Sequence, residues 1–143
     1  MISRLFALLV LAGSLLLAAC GVQPAAPAVS GVPVPVEGAA YTNVTPARLA
    51  EMLNNKDFFF VNTHIPYEGE IAPTDARVPF DQTARQLDKY PADKNAKIVV
   101  YCRSGRMSDI APRELVKAGY TNVWNLDGGM IAWEQAGYTI IKK

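Results

Sequence analysis

The chain has 143 residues with 14 basic and 13 acidic side chains, which leaves a formal charge of +1 at pH 7. This balance excludes the strongly basic surface that is typical of nucleic-acid-binding domains. Once an N-terminal signal and a linker are set aside, about a hundred residues remain, enough for one domain with one hydrophobic core but not for two.

Residues 1–19 are predicted to be a secretion signal. Arg4 supplies positive charge, and residues 5–17 are almost wholly apolar. This run is shorter than the roughly 20 residues that a membrane-spanning helix needs. The sequence LAACG that follows resembles the lipobox of bacterial lipoproteins, in which the cysteine, here Cys20, receives the lipid. The resemblance implies a lipid anchor on the periplasmic side of the cell envelope, and the glycine after the cysteine favours the outer membrane.

The two cysteines are predicted to have different roles. If Cys20 is acylated, Cys102 has no disulfide partner in the chain. In an oxidising compartment most cysteines are paired, so an unpaired one is either buried and inert or kept for its chemistry. The alternative is an ordinary signal peptide that happens to end in Cys20, which would leave this residue free to pair with Cys102.

Residues 20–40 are predicted to be a tether. The sequence GVQPAAPAVSGVPVPVEGAA consists mainly of proline, alanine, valine and glycine, with almost no charge and no evident hydrophobic period. Such a composition is typical of an extended linker. The folded domain is therefore expected to span residues 41–143.

Within the domain, apolar periodicity predicts helices and strands in alternation. The predicted elements, in chain order, are a helix beginning at Pro46, a buried strand at 58–61, an edge strand at 77–80, a helix at 82–90, a buried strand at 98–101, a helix at 106–119 with a kink or a late first turn at Pro112, a strand at 122–126 and a short helix at 130–133. This alternation predicts a three-layer α/β sandwich whose central sheet has about five mostly parallel strands.

Cys102 directly follows the second buried strand, in the stretch VYCRSGRMS. Ligands of α/β sheets bind at the carboxyl ends of strands. A helix beginning near Arg106 would aim its N–H groups and its positive dipole end at this loop, where Arg103 adds further positive charge. These features favour a reactive thiolate at Cys102, and Gly105 would let the backbone approach the sulfur.

Several segments together resemble single-domain rhodaneses. They are the loop CRSGR after the strand VVY, the helix ending VKAGY, the NV pair that follows, and the sequence LDGGMIAW. The match covers most of residues 41–143, and it implies a rhodanese-like fold and a sulfurtransferase activity. An anionic sulfur donor such as thiosulfate and a thiophilic acceptor such as cyanide or a thiol are implied as partners, with no metal and no cofactor.

The resemblance also implies the roles of individual residues. Cys102 would be the nucleophile that carries sulfur as a persulfide. The backbone N–H groups of the next five residues would hold this persulfide: Arg103, Ser104, Gly105, Arg106 and Met107. The two arginine side chains among them would attract the anionic donor.

One loop departs from the family pattern. The residues Asn62, Thr63 and His64 stand where rhodaneses commonly have Asp-x-Arg, and residues 70–76 replace the usual His-Ile-Pro-Gly-Ala. His64 is a candidate pocket residue, or else a solvent-facing loop histidine. The acidic residues Glu68, Glu70 and Asp75 are expected to be solvated, and the alternative is that they steer a cationic or metal-bearing partner.

Other functions compete with sulfur transfer. A cysteine phosphatase needs an arginine six positions after the cysteine, where this chain has Ser108, and a dithiol oxidoreductase needs a second cysteine nearby. The alternative that stays open is a non-catalytic rhodanese-like module of the cell envelope that binds an anion or a partner protein. The altered loop at 62–75 is the feature that favours this alternative.

Overall fold

Short apolar runs supply the central sheet in the computed structural model, which describes residues 31–142. The six strands are β1 (Val32–Val36), β2 (Ala39–Val44), β3 (Phe59–Asn62), β4 (Ala76–Arg77), β5 (Ile98–Tyr101) and β6 (Val123–Leu126). Their order across the sheet is β1-β2-β6-β5-β3-β4, and every neighbouring pair is parallel except β1 and β2. The predicted mostly parallel sheet is confirmed, with six strands where about five were expected.

Three α-helices cover the two faces of the sheet: α1 (Pro46–Asn54), α2 (Ile110–Lys117) and α3 (Gly129–Gln135). Successive side chains of a strand point to opposite faces, and all four residues of β5 are buried. Ile98 and Val100 pack in the cluster that includes residues of α2, whereas Val99 and Tyr101 pack in the cluster that includes residues of α1 and α3. The result is the predicted three-layer sandwich.

The folded region begins before Tyr41, so the predicted tether boundary is wrong. β1 pairs antiparallel with β2, and the two residues that join them, Glu37 and Gly38, have φ values of 43° and 88°, as a tight hairpin turn requires. Pro33 and Pro35 are tolerated because β1 is an edge strand, where a missing N–H costs no sheet hydrogen bond. Val34 and Val36 of VPVPV pack against the core whereas Val32 is exposed, and composition alone did not reveal this packing.

The segment after β4 is also different from the prediction. β4 is the expected edge strand, although it is only two residues long. In place of one helix at 82–90 the structure has two 3₁₀ helices, Phe80–Arg85 and Leu87–Lys89. Gln86, with φ of −121°, interrupts them, and the break lets the ring of Tyr90 turn into the core.

Helix α2 begins later than predicted, at Ile110 rather than near Arg106. Pro112 explains the late start, because its ring would clash with the carbonyl of Ser108 if a regular helix extended that far back. In the observed helix the proline falls in the first turn, where it is tolerated. The expected late first turn is confirmed.

The predicted signal at 1–19, Cys20 and the first part of the predicted tether lie outside the described residues. Within residues 31–142, no helix has the length and apolar character to cross a lipid bilayer.

Candidate active site

Cys102 lies at the carboxyl end of a central strand. β5 has β6 on one side and β3 on the other, and Tyr101 is in register with Asn62, the last residue of β3. The segments that follow these two strands therefore lie side by side at one edge of the sheet. We refer to residues 102–109 as the Cys102 loop and to residues 63–75 as the β3 loop.

The start of α3 holds the backbone of the Cys102 loop. The N–H of Met130 donates to the carbonyl of Cys102, and the N–H of Ile131 donates to the carbonyl of Arg103, both at 2.9 Å. Gly129 makes this approach possible: a Cβ atom there would lie 2.4 Å from the Cys102 carbonyl oxygen. Gly129 is thus required for contact with the Cys102 loop as well as for the turn itself.

The sulfur of Cys102 accepts one loop amide. The N–H of Gly105 donates to Sγ at 3.1 Å, and Gly105 has φ of +90°, a conformation that favours glycine. The hydroxyl of buried Ser108 donates to the carbonyl of Gly105 at 3.2 Å and so fixes this turn. Of the five residues expected to contribute N–H groups, Gly105 is the one whose amide contacts the sulfur, and sequence reasoning missed the supporting role of Ser108.

Helix α2 does not direct its first N–H groups at the sulfur. The N–H of Asp109 bonds to the carbonyl of Gly105, and those of Ile110 and Ala111 bond to the carbonyl of Met107. The expectation that a helix beginning near Arg106 would hold the thiolate with its N-terminus is therefore wrong. The loop itself supplies the donor.

Residues of β2 and α2 anchor the end of the Cys102 loop. The phenol of Tyr41 hydrogen bonds to the carboxylate of Asp109, and Nε of Arg113 lies 3.3 Å from the same carboxylate group. Burial, followed by the Asp109 hydrogen bond, raises the pKa of Tyr41 to about 12. The phenol thus stays protonated and able to donate at neutral pH.

Arg103 pairs with the β3 loop. Its Nε lies 2.5 Å from Oε2 of Glu68, and the same oxygen lies 3.6 Å from Nε2 of His64. Glu68 is exposed, as expected, but its carboxylate also makes this ion pair. The two residues are remote in sequence, and no local pattern links them. Ser104 and Arg106 are exposed, and Arg106 makes no ion pair with any described residue.

Tyr101 ties the β3 loop to the strand that carries Cys102. Its phenol oxygen accepts a hydrogen bond from the N–H of Ile71 at 3.0 Å and lies 2.6 Å from Oγ1 of Thr74. Burial raises the pKa of Tyr101 to about 12, so the phenol is neutral at physiological pH. The carbonyl of Tyr101 accepts from the N–H of Thr63 at 2.8 Å.

The thiol is enclosed rather than open. Cys102 is 1% exposed, and it is a free cysteine. A small pocket of about 100 Å³ is lined by the next residue, Arg103, together with Glu68, Met130, Glu134, Ile140 and Lys142. The exposed Arg103–Glu68 ion pair forms part of this lining. Within residues 31–142, no group of three or more His, Cys, Asp or Glu side chains is arranged to hold a metal ion.

His64 lines a second pocket. Its side chain is only 8% exposed, and the pocket that it lines includes no residue of the Cys102 loop, so its predicted place in the pocket of the thiol stays a prediction. The pocket has a volume of about 310 Å³ and is lined by Asn62, His64, Ile65, Tyr67, Arg77 and Pro79. Neither pocket is lined by Cys102 itself.

Known proteins resemble this chain in sequence and in fold. The sequence pattern of the rhodanese-like domain matches residues 45–136. A sulfurtransferase from Allochromatium vinosum is 32% identical over 92 residues, which cover 63% of this chain and 84% of that protein. A tRNA uridine(34) hydroxylase from Hamiltonella defensa is 33% identical over 89 residues, which cover 58% of this chain but only 25% of the hydroxylase.

Solved structures show the same fold. A rhodanese-related protein from Thermoplasma volcanium superposes with a TM-score of 0.60 at 23% identity and covers 71% of this chain and 98% of that one. A rhodanese-like domain protein from Staphylococcus aureus gives a TM-score of 0.57 at 24% identity and covers 71% and 97% of the two chains.

Proposed function

Because this chain belongs to the rhodanese-like domain family, we propose that it is a sulfurtransferase that carries sulfur on Cys102. The proposed donor is thiosulfate or a similar sulfane-sulfur anion, and the proposed acceptor is a thiophile such as cyanide or a thiol. The proposed location is the periplasmic face of the outer membrane, with a lipid anchor on Cys20.

One observation carries the proposal. A free cysteine lies at the carboxyl end of a central strand, and its sulfur accepts the N–H of Gly105 at 3.1 Å while the start of α3 fixes the loop carbonyls. A fixed N–H donor stabilises a sulfur anion without any reorganisation at the moment of reaction. The same donor would serve the persulfide.

The reaction divides into two displacements on sulfur. The Cys102 thiolate attacks the outer sulfur of thiosulfate, so that a new S–S bond forms, the original S–S bond breaks, and sulfite leaves with the bonding electrons. The acceptor then attacks the outer sulfur of the persulfide, and the Cys102 thiolate is regenerated. No external oxidant or reductant is needed, and protonation of the leaving group is not required because sulfite is already an anion.

The exposed cation of Arg103 would first attract the anionic donor. Its guanidinium is held by Glu68 at 2.5 Å, so the donor must compete with this carboxylate. An exposed ion pair of this kind contributes about 0–1 kcal/mol, which an incoming dianion can replace. Displacement of Glu68 is also the movement by which the enclosed thiol would become accessible.

A second candidate function is a binding module without catalysis. The enclosure of Cys102 and the pairing of Arg103 with Glu68 favour it, because both reduce access to the sulfur. The hydroxylases, of which this chain spans about a quarter, are relatives whose stated activity differs from sulfur transfer.

Thiocyanate formation from thiosulfate and cyanide tests the proposal. Wild-type protein should form thiocyanate and Cys102→Ser should form none above the uncatalysed rate, because serine cannot carry a sulfane sulfur. Cys20→Ser is the matched control, and it should retain the activity while releasing the protein from the membrane fraction. No activity above the uncatalysed rate in either protein would support the binding module, and equal activity in both would contradict the role of Cys102.

A further inference from the structure

The pocket beside the β3 loop has no role in the proposed sulfur transfer. It has a volume of about 310 Å³, and none of its lining residues belongs to the Cys102 loop. The side chain of Asn62 on its wall is already engaged: its amide donates to the carbonyl of Gly69, and its oxygen accepts the N–H of His64, both at 2.9 Å. The polar groups that remain available in the pocket belong to its other lining residues.

Two neighbouring side chains present buried polar atoms without partners. Both ring nitrogens of His64 and the phenol oxygen of Tyr67 are buried and have no hydrogen-bond partner among residues 31–142. The His64 side chain is more than nine-tenths buried, with 8% of its surface exposed. Buried polar groups are nearly always satisfied, so three such atoms around one pocket indicate a polar ligand there.

The charge of the pocket favours an anion. The guanidinium of Arg77 lies 4.7 Å from the centroid of the Tyr67 ring, and the residues that line this pocket include no carboxylate. The nearest carboxylate to His64 is that of Glu68, and its Oε2 is already 2.5 Å from Nε of Arg103. The available groups are therefore mainly donors: the guanidinium, an imidazole N–H and a phenol O–H.

We infer that this pocket binds a compact oxyanion, at a site separate from the Cys102 loop. Its oxygens would accept hydrogen bonds from the guanidinium of Arg77, a residue suited to oxyanion geometry, and, once the buried rings rotate toward the ligand, from His64 and from the phenol of Tyr67. Ile65 and Pro79 supply an apolar wall for a short organic group. The inference does not depend on sulfur transfer. The oxyanion is either an inorganic tetrahedral anion or the carboxylate of a small organic molecule.

Nuclear magnetic resonance titration of the full chain with sulfate, phosphate and acetate tests this inference, with sodium chloride keeping the ionic strength constant. We expect saturable shifts of the His64 ring and of the backbone amides near Tyr67 and Arg77 for at least one anion. Arg77→Gln should weaken this binding by about tenfold or more, because a charge-assisted hydrogen bond is lost. The matched control Arg85→Gln should not weaken it, since Arg85 is exposed and does not line the pocket.

The three anions distinguish the source of the ligand. Tighter binding of sulfate and phosphate would identify an inorganic oxyanion, and tighter binding of acetate would identify a carboxylate. Tyr67→Phe keeps the ring under Arg77 but removes the phenol, so it should weaken binding severalfold even if Arg77→Gln perturbs the edge strand. Absence of saturation with all three anions, or equal weakening by Arg77→Gln and Arg85→Gln, would overturn the inference.

Discussion

The Cys102 loop and the β3 loop leave adjacent parallel strands at the same edge of the sheet, but different interactions hold them. Main-chain hydrogen bonds from Met130 and Ile131 fix the Cys102 loop, and glycines make the close approach possible. Main-chain hydrogen bonds also hold the β3 loop, at Thr63, Glu70 and Asp75, but its links to the strand and loop of Cys102 include side chains: the phenol of Tyr101 and the ion pair between Glu68 and Arg103.

The glycine contacts of the Cys102 loop therefore determine where the sulfur lies, whereas the side-chain contacts of the β3 loop determine how accessible it is. A substitution in the glycine contacts displaces the backbone that carries the sulfur, so its effect should be large. A substitution in the side-chain contacts of the β3 loop leaves that backbone in place and alters access to the sulfur. The predictions below begin with the main-chain contacts and end with the exposed ion pair.

Gly129→Ala should have the largest effect. Its Cβ atom would lie 2.4 Å from the Cys102 carbonyl oxygen, closer than real Cβ contacts come, and φ at this position is +59°. We expect thiocyanate formation to fall by about 100-fold, and the free energy of unfolding to fall by about 2–4 kcal/mol. Gly137→Ala is the matched control, because φ there is +88° but no atom lies within 4 Å of the added Cβ. Equal losses in the two variants would show that contact with the Cys102 loop is unimportant.

Tyr101→Phe should have an intermediate effect, on stability. It leaves the buried N–H of Ile71 without its phenol partner, so the free energy of unfolding should fall by about 2 kcal/mol in chemical denaturation. Tyr120→Phe is the control. It removes a phenol hydrogen bond to the carbonyl of Pro91 on the other face of the sheet and should cost about 1 kcal/mol. A smaller loss for Tyr101→Phe than for Tyr120→Phe would contradict the role of Tyr101 as the tie between the loops.

Glu68→Gln should have the smallest effect, on access to the thiol. Removal of the carboxylate releases Arg103, and the rate of Cys102 alkylation by iodoacetamide should rise by about two- to fivefold, as expected from the modest energy of an exposed ion pair. Glu51→Gln is the control, because Glu51 makes an ion pair of the same length with Arg48 on α1. An unchanged alkylation rate in Glu68→Gln, or the same increase in both variants, would contradict the role of Glu68.

Local sequence patterns were sufficient for the centre of the fold. Four consecutive apolar residues predicted β5, and their position directly before Cys102 placed the thiol at the carboxyl end of a central strand. The strand β1 was missed because its prolines are typical of a linker, although an edge strand tolerates them. The start of α2 was misplaced because a regular helix from Arg106 would bring the ring of Pro112 against the carbonyl of Ser108.

The polar surroundings of the site were harder to predict. The Arg103–Glu68 ion pair joins loops that are remote in sequence, so it depends on the register of β3 and β5 and not on any local motif. The ring nitrogens of His64 and the phenol oxygen of Tyr67 lack hydrogen-bond partners because of the path that the β3 loop takes. This loop departs from the family pattern, so its path could not be predicted from the family. Residue type identified His64 as a candidate, but only the fold shows that Arg77 lies against Tyr67.

The central claim is that Cys102 carries the transferred sulfur, and mass spectrometry of the full chain after exposure to thiosulfate tests it most directly. The account predicts the added mass of one sulfur atom, located by peptide mapping on the fragment that contains Cys102, removed by dithiothreitol and absent in Cys102→Ser. An unchanged mass in the wild-type protein, or the same addition in Cys102→Ser, would contradict it.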